Sequence, residues 1–444
     1  MDVAIDLIIL IGLLIVGVPV PFCFMAAVLY MFVIGGFNPM FVISTGFKQI
    51  NSMAVLSIMF FILMGGLMGT GGIAGRLVAI SDSILGRRKS GLGTVSIVSS
   101  AIFGAISGTC SAAVAAIGSI MIPRMLERGY PRGQATALVA CPSVLGQLIP
   151  PSVPMILYAW VTWQSVGACF LATVVPGVIM VGLYTFVNSL MVRRMPIQVL
   201  PDLPLRTKIK GFGKAMGRGF WALLMPVIVL GGIYGGVFTP TESAGIAVVY
   251  CLPVGFFIYR SMSLRQFSNA MVDTITTTGV IMVMVFFVMI LSRMYVMENV
   301  PQRLISSLTG FTENKIVILM MVNVFLLILG MLMDDFSGTL LAAPLLFPLM
   351  KDLGIHPIHF AAILGTNLGL GNKTPPTAPI LYLAGRVGNC RFDQLLKPAV
   401  LFMTSCSLPV VILTTYIPFL SLWLPHLLLP KIVPAEFVRF HVFG

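Results

Sequence analysis

Two short segments share an order of residues suited to holding ions inside a low-dielectric medium. Residues 150–158 read Pro-Pro-Ser-Val-Pro-Met-Ile-Leu-Tyr, and residues 375–382 read Pro-Pro-Thr-Ala-Pro-Ile-Leu-Tyr. A small-residue run precedes each, Gly146-Gln-Leu-Ile and Gly369-Leu-Gly-Asn-Lys-Thr. Further upstream lies a glycine–proline turn, at Gly129 to Pro131 and at Gly354 to Pro357. Paired prolines in an apolar helix remove amide donors and clash with carbonyls one turn back. In lipid the freed carbonyls need a partner, which water, a side chain or a hard cation such as Na⁺ can supply. The half-helix that restarts after each break presents N-terminal amides, which favour an anion. Cation and anion held side by side are what a cation-coupled anion symporter requires.

Other residues join this candidate chemistry. Ser107-Gly-Thr-Cys-Ser111 lies in a very small-residue stretch, 103–119. It reads either as close helix packing or as a hairpin tip whose hydroxyls and carbonyls meet an ion. Ser-Gly-Thr recurs at 337–339, a triplet of little weight. Ionisable residues inside membrane segments are few and functional by default. Asp334 and Asp335 end an apolar span, and Lys373 sits inside the second break. Lys373 can bind an anion, stand in for a cation, or snorkel to water. Arg124, Glu127, Arg128 and Arg132 cluster at one turn and read as a solvated face. There is no zinc-protease helix motif, P-loop or nucleophile elbow, so neither an enzyme nor a primary pump is expected. His356 and His359 flank Pro357 without an acidic partner, which does not make a metal site. Seven cysteines form no C-x-x-C pair and read as core residues.

The elements that must position these residues are membrane helices. The chain has 444 residues, 58% hydrophobic and 9% charged, with mean hydropathy +1.03, where a soluble domain has roughly 25% charged residues. Apolar runs approach the ~20 residues needed to span a bilayer, and they are continuous, which excludes a barrel. The first, 5–34, lacks a basic leader and reads as one retained segment bent near Pro19 and Pro21. Further spans are expected at 53–68, 93–106, 134–148, 166–191, 220–237, 244–259, 271–294, 315–333 and 395–424. Shorter pieces at 111–125, 155–162, 340–350, 360–370 and 380–385 suggest re-entrant hairpins and broken helices. Residues 76–87 and 263–273 are amphipathic and suit the membrane interface. The net charge of +13 would suggest nucleic acid in a soluble protein. Here it comes from basic loops, including Arg87 to Lys89 and Arg193-Arg194, which stay in the cytoplasm. The expected fold is therefore an all-α polytopic membrane protein built from inverted repeats. It divides into a first half at 1–192, a basic cytoplasmic linker at 193–219, a second half at 220–428 and a tail at 429–444.

In order along the chain, several segments resemble the large membrane subunit of tripartite ATP-independent periplasmic (TRAP) transporters. They are Gly71-Gly-Ile-Ala-Gly-Arg-Leu77, the stretch from Phe103 to Pro123, the stretch from Leu145 to Tyr158, and Phe238-Thr-Pro-Thr-Glu-Ser-Ala244. Asp334 with Pro344 and Pro348, and the stretch from Gly354 to Phe360, complete the set. The resemblance covers about residues 10 to 425 and leaves out 429–444. It implies an elevator-type transporter in the bacterial inner membrane, with two hairpins and two arms. It implies Na⁺-coupled import of a small organic anion, a carboxylate or sugar acid, with no organic cofactor. The implied partners are a small membrane subunit, a periplasmic substrate-binding protein and membrane lipid. By position it implies one Na⁺ site at Ser107, Cys110, Gly146, Ile149 and Pro151, and another at Gly330, Gly371, Thr374 and Thr377. Candidate substrate contacts are Ser107, Thr109, Ser152, Asp334, Asn367 and Lys373. The family pattern has a serine where Cys110 stands, a Ser-Gly pair near Cys141-Pro142, and an apolar residue where Lys373 stands. An ammonium there can weaken or replace Na⁺, which leaves H⁺ coupling or an altered substrate open. The alternatives are a stand-alone Na⁺- or H⁺-coupled carboxylate transporter of the same superfamily and a membrane assembly scaffold without transport activity.

Overall fold

The computed structural model describes residues 2–199 and 204–438. Residues 200–203 of the expected linker, and 439–444 of the expected tail, lie outside the described residues. The fold is helical, with no strand among the described residues. Nine of these helical segments are long and apolar enough to cross a membrane by length and composition.

The chain opens with α1 (Asp2–Val16), α2 (Val20–Gly35), α3 (Pro39–Ile50), α4 (Met53–Thr70) and α5 (Ile73–Leu85). The expected single bent segment at 5–34 is two helices packed on each other. Gly17 takes φ +90°, and Pro19 starts the second helix, so the chain turns rather than kinks. Helix α3 has no counterpart among the expected spans. Hairpin 1 follows, α6 (Gly91–Ser107) and α7 (Cys110–Glu127). Gly108 at φ +67° ends α6, and the Thr109 side chain caps α7, which puts the tip where the sequence suggests it. The first broken segment comprises α8 (Arg132–Ala140), a tight turn at Pro142–Val144, α9 (Leu145–Leu148) and α10 (Val153–Thr162). Helix α11 (Val166–Val192) closes the first half.

The second half follows a similar order, with four helices before its hairpin where the first half has five. It runs α12 (Leu205–Tyr234), α13 (Pro240–Pro253), α14 (Leu264–Met297) and α15 (Val300–Phe311). Hairpin 2 is α16 (Lys315–Leu332) with α17 (Asp335–Asp352), and the second broken segment is α18 (Pro357–Gly371) with α19 (Pro379–Val387). Then come α20 (Phe392–Phe402), α21 (Leu408–Tyr416) and α22 (Pro418–Leu428). Three expectations change here. Residues 205–219 are not linker but the first half of α12, because no proline interrupts them before Pro226. Residues 263–273 are the first turns of α14, whose 34 residues make about 51 Å of helix, more than a bilayer's ~30 Å core. The counterpart of α5, placed between the same neighbours, is α15. The span expected at 395–424 is interrupted by a π-turn at Met403–Ser407 and ends at Tyr416, since Pro418 starts a new helix.

The halves exchange partners. Helix α4 packs on α13 and α14 packs on α2. Helix α10 packs on α17 and α19 packs on α7, while α20 packs on α8 and α11 on α18. The two broken segments run in opposite directions, as two cross-half hydrogen bonds show. Tyr158 near the end of α10 donates to the Pro357 carbonyl at the start of α18, 2.7 Å. Arg132 at the start of α8 donates to the Gly388 carbonyl after α19, 2.9 Å. Arg132 is thus a cap for the other half, and Arg124 pairs with Asp82 of α5 at 2.8 Å, so these two arginines are not merely a solvated face.

Candidate functional site where the breaks meet the hairpin tips

Both proline pairs, Pro150-Pro151 and Pro375-Pro376, have cis peptide bonds. Before the first, Ile149 turns extended; after it, the Ser152 side chain caps α10. The third proline of each motif, Pro154 or Pro379, occupies the first turn of the new half-helix, where its missing amide costs little. The other first-turn amides are already paired. Val153 donates to the Gly108 carbonyl at the hairpin 1 tip, 3.2 Å, and Ile380 donates to the Asn372 carbonyl, 3.3 Å. Met155 donates to the Ser152 hydroxyl, 3.4 Å. The expected free amide cradle is therefore closed by the chain itself.

Glycine lets hairpin and break approach closely. A Cβ on Gly104 would stand 2.6 Å from the Gly146 Cα, and one on Gly146 would meet the Thr109 carbonyl. In the second half a Cβ on Gly371 would stand 2.6 Å from the Gly330 Cα. So Ser107, Thr109, Cys110, Gly146 and Pro151 come together in one place: a Cβ on Gly108 would lie 2.8 Å from the Pro151 carbonyl. Gly330 and Gly371 come together in another, where the Thr374 amide donates to the Gly371 carbonyl and its hydroxyl to Leu370, 2.8 and 2.7 Å. The Ile149 side chain turns toward Gly177 of α11.

Side chains lock these contacts in matched pairs. The Cys110 thiol donates to the Gln147 side-chain carbonyl at 3.4 Å, and the Gln147 amide donates onward to the Gly365 carbonyl in the other half, 2.8 Å. The Asn372 amide donates to the Asp335 carboxylate. Cys110 and Asp335 each begin the returning helix of a hairpin, and Gln147 and Asn372 each stand three residues before a proline pair. Sequence reasoning passes over Gln147, Asn372 and Gly104, and singles out Asp335 as an intramembrane charge without a partner for it. Superposing the two motif copies on their prolines finds the two amides.

Lys373 does not snorkel. It is 1% exposed, and its ammonium donates to the Cys141 carbonyl at 3.1 Å and the Tyr184 hydroxyl at 2.8 Å. Both acceptors belong to the first half, and Tyr184 also contacts Ser407 at 2.6 Å. Asp335 and Cys110 lie near enough to feel the ammonium charge. Thr109, Ser152 and Asp334 cap α7, α10 and α17. Asn367, one turn before Gly371 on α18, is bonded to Asn323 at 2.9 Å. Three buried side-chain oxygens around the junction, on Ser107, Asn372 and Thr377, have no hydrogen-bond partner among the described residues. Such atoms are uncommon in folded proteins and call for an explanation.

The profile of the family described as tripartite ATP-independent periplasmic transporter, DctM component, matches residues 7–420. The chain belongs to this family. It is 36% identical over 380 residues to the C4-dicarboxylate TRAP transporter large permease protein DctM of Pseudomonas aeruginosa, covering 86% of this chain and 88% of that protein. It is 32% identical over 419 residues to the sialic acid TRAP transporter large permease protein SiaM of Vibrio cholerae, covering 94% and 97%. With the isethionate TRAP transporter permease protein DctMQ of Oleidesulfovibrio alaskensis it shares 37% over 413 residues. That match covers 92% of this chain and 64% of that protein. Among solved structures it is similar to the YdaH transporter of Alcanivorax borkumensis, with TM-score 0.58 and 17% identity, covering 84% of this chain and 86% of that one. MtrF of Neisseria gonorrhoeae gives TM-score 0.58 at 14% identity, covering 84% and 82%. These two likenesses concern the fold alone. The large permease is thus a multi-pass helical membrane protein of a bacterial transporter family.

Proposed function

We propose that this large permease is the transport subunit of an inner-membrane secondary carrier that imports a small organic anion with Na⁺. It receives the anion from a periplasmic binding protein and works beside a small membrane subunit. Residues 1–192 and 205–428 form the two inverted halves, and their hairpins and broken helices move together in an elevator step. The substrates named for its relatives, C4-dicarboxylate, sialic acid and isethionate, are all small anions, and this chain's substrate belongs to that class.

The observation that carries this reading is the set of unpartnered oxygens on Ser107, Asn372 and Thr377, beside carbonyl-rich breaks. Neutral oxygens suit a hard monovalent cation and add no negative charge against an anionic cargo. Na⁺ travels here as a co-substrate, held at Ser107, Cys110, Gly146, Ile149 and Pro151 on one side and at Gly330, Gly371, Thr374 and Thr377 on the other. With the first-turn amides already used, the anion's charge is balanced by the bound cations and by the Lys373 ammonium.

The test is uptake by proteoliposomes containing this chain and its two partners, using radiolabelled succinate, isethionate and sialic acid under an imposed Na⁺ gradient. Uptake of one of them that needs both Na⁺ and the binding protein is the expected result. Uptake unchanged without Na⁺ removes the coupling. Uptake by this chain alone favours a stand-alone carboxylate carrier.

A further inference from the structure

A cavity of about 830 Å³ opens between α3, the α3–α4 connection and α14 on one side and α10 and α17 on the other. Ligand pockets usually measure roughly 300–1,000 Å³. Its two walls differ in chemistry. Lys48 of α3 and Arg293 of α14 stand on one, with Gln49, and Trp160, Trp163 and Phe347 stand on the other. No carboxylate among the described residues lines the cavity. Both cations are exposed, and neither has an ion-pair or hydrogen-bond partner among the described residues. The wall that carries them is firm: Gly46 lies against the Phe286 ring, and Phe47 meets that ring edge-on at 5.7 Å.

The position in the membrane follows from charge. The cavity lies at the start of α4 and near the end of α14. At the opposite end of α14 stand Arg260, in the connection before it, and Arg265, and the chain after α4 and α5 carries Arg87 to Lys89. Basic segments stay cytoplasmic, so the cavity faces the other side, from which the cargo comes. Two unpaired cations in a concave, low-dielectric mouth focus field and concentrate anions.

We propose that this cavity is a receiving vestibule for a small carboxylate or sulfonate, with Lys48 and Arg293 as its anion contacts and the aromatic wall holding the cargo's apolar part. The proposal rests on the transport reading for its biological sense but not for its test. Arginine, lysine and tryptophan at a membrane surface also attract phospholipid headgroups, so the same chemistry has a second source.

The chain has four tryptophans. Replacing Trp221 and Trp423 by Phe leaves Trp160 and Trp163 as reporters inside the cavity. In phosphatidylcholine nanodiscs iodide should quench their fluorescence about threefold more strongly than caesium. Lys48→Gln with Arg293→Gln should bring the two constants together, and Lys48→Glu with Arg293→Glu should reverse their order. Sodium succinate should protect against iodide more than sodium chloride at equal ionic strength. Equal iodide and caesium constants in the parent protein overturn the vestibule. So does an iodide preference that vanishes in phosphatidylglycerol nanodiscs, because the headgroup then fills the site. Transport is judged separately by the uptake assay: a chain that carries no anion loses the transport reading whatever the quenching shows. In that assay the Gln double variant should raise the KM for uptake about tenfold at unchanged kcat, the two lost contacts together contributing ~1.4 kcal/mol.

Discussion

Gln147 and Asn372 sit three residues ahead of the two cis proline pairs, and each grips the first residue of the returning helix in its own hairpin. The grip has opposite polarity in the two halves. Gln147 accepts from Cys110, whereas Asn372 donates to Asp335. Gln147 also bonds Gly365, so it ties hairpin 1, the first break and the second half together. Gln147→Leu removes both bonds, leaving the buried Cys110 thiol without its acceptor and the Gly365 carbonyl with its helix amide alone, a loss of about 1 kcal/mol. Uptake should fall at least about fivefold, with a raised half-saturating Na⁺ concentration. Cys110→Ser keeps a donor of similar size and adds an oxygen, so uptake should persist and that concentration should drop. Flux measured against Na⁺ concentration checks both.

Lys373 invites a double-mutant cycle with Tyr184. Removing a buried charge together with its desolvation cost is often neutral, whereas stripping the partner from a retained buried charge costs about 3–5 kcal/mol. After Lys373→Met, Tyr184 still donates to the Cys141 carbonyl at 3.0 Å, and Asp335 keeps its bond from Asn372. Thermal unfolding in nanodiscs should therefore show Lys373→Met within about 1 kcal/mol of the parent. Tyr184→Phe should be clearly destabilised, and the double variant should recover most of that loss. If both single variants lose equal stability, the ammonium is not held by Tyr184. Lys373→Met should also change the number of Na⁺ ions moved per anion.

How much of this can be read from the sequence depends on which interactions are local. The breaks at 150–151 and 375–376, and the tip at 107–109, rest on proline and glycine chemistry that acts on neighbours in the chain, and the structure places them there. Thr109, Ser152 and Asp334 stand out in the sequence as polar residues beside those breaks, and in the fold they are helix caps, a role also set locally. Lys373 is legible as an oddity but not in its direction, because its acceptors lie 189 and 232 residues away. Reading 5–34 as one bent segment fails because hydropathy reports apolar surface and not chain reversal. Helix α15 escapes notice because its twelve residues are too short and too mixed to stand out from a loop.

Glycine substitutions separate close packing from chain flexibility. Gly371→Ala and Gly146→Ala put a methyl against backbone that cannot yield, since the nearest atoms belong to Gly330 and to Thr109. Overpacking of this kind costs about 1–3 kcal/mol. Gly182, on α11, has nothing within 4 Å of where a methyl would stand, and alanine in a helix is favoured over glycine by about 0.5–1 kcal/mol. The first two variants should lose uptake and melt earlier, while Gly182→Ala should melt at or above the parent temperature. An unaffected Gly371→Ala would mean that hairpin 2 and its break do not approach as described.

His356 gives a pH dependence outside the membrane spans. It stands before α18, where its Nδ1 accepts from the Ile358 amide at 3.2 Å, and the Phe437 ring covers it edge-on at 4.8 Å. Burial lowers its pKa from the usual 6.5, and the Ile432 carbonyl opposes that only in part. The folded protein therefore holds His356 neutral, while the unfolded chain takes up a proton below about pH 6.5. Protonation would also cancel the Nδ1 acceptor and place positive charge at a helix N-terminus. Stability from this residue is present above pH 6.5 and is lost as pH falls through that value toward the lower folded pKa. His356→Asn keeps a capping acceptor but cannot titrate. Melting temperature followed from pH 7.5 to 5 should decline less steeply in that variant, and protease should release the segment around Phe437 from the parent at acidic pH before it does so from the variant. Parallel curves for the two proteins would show that the contact between the tail and α18 does not depend on this imidazole.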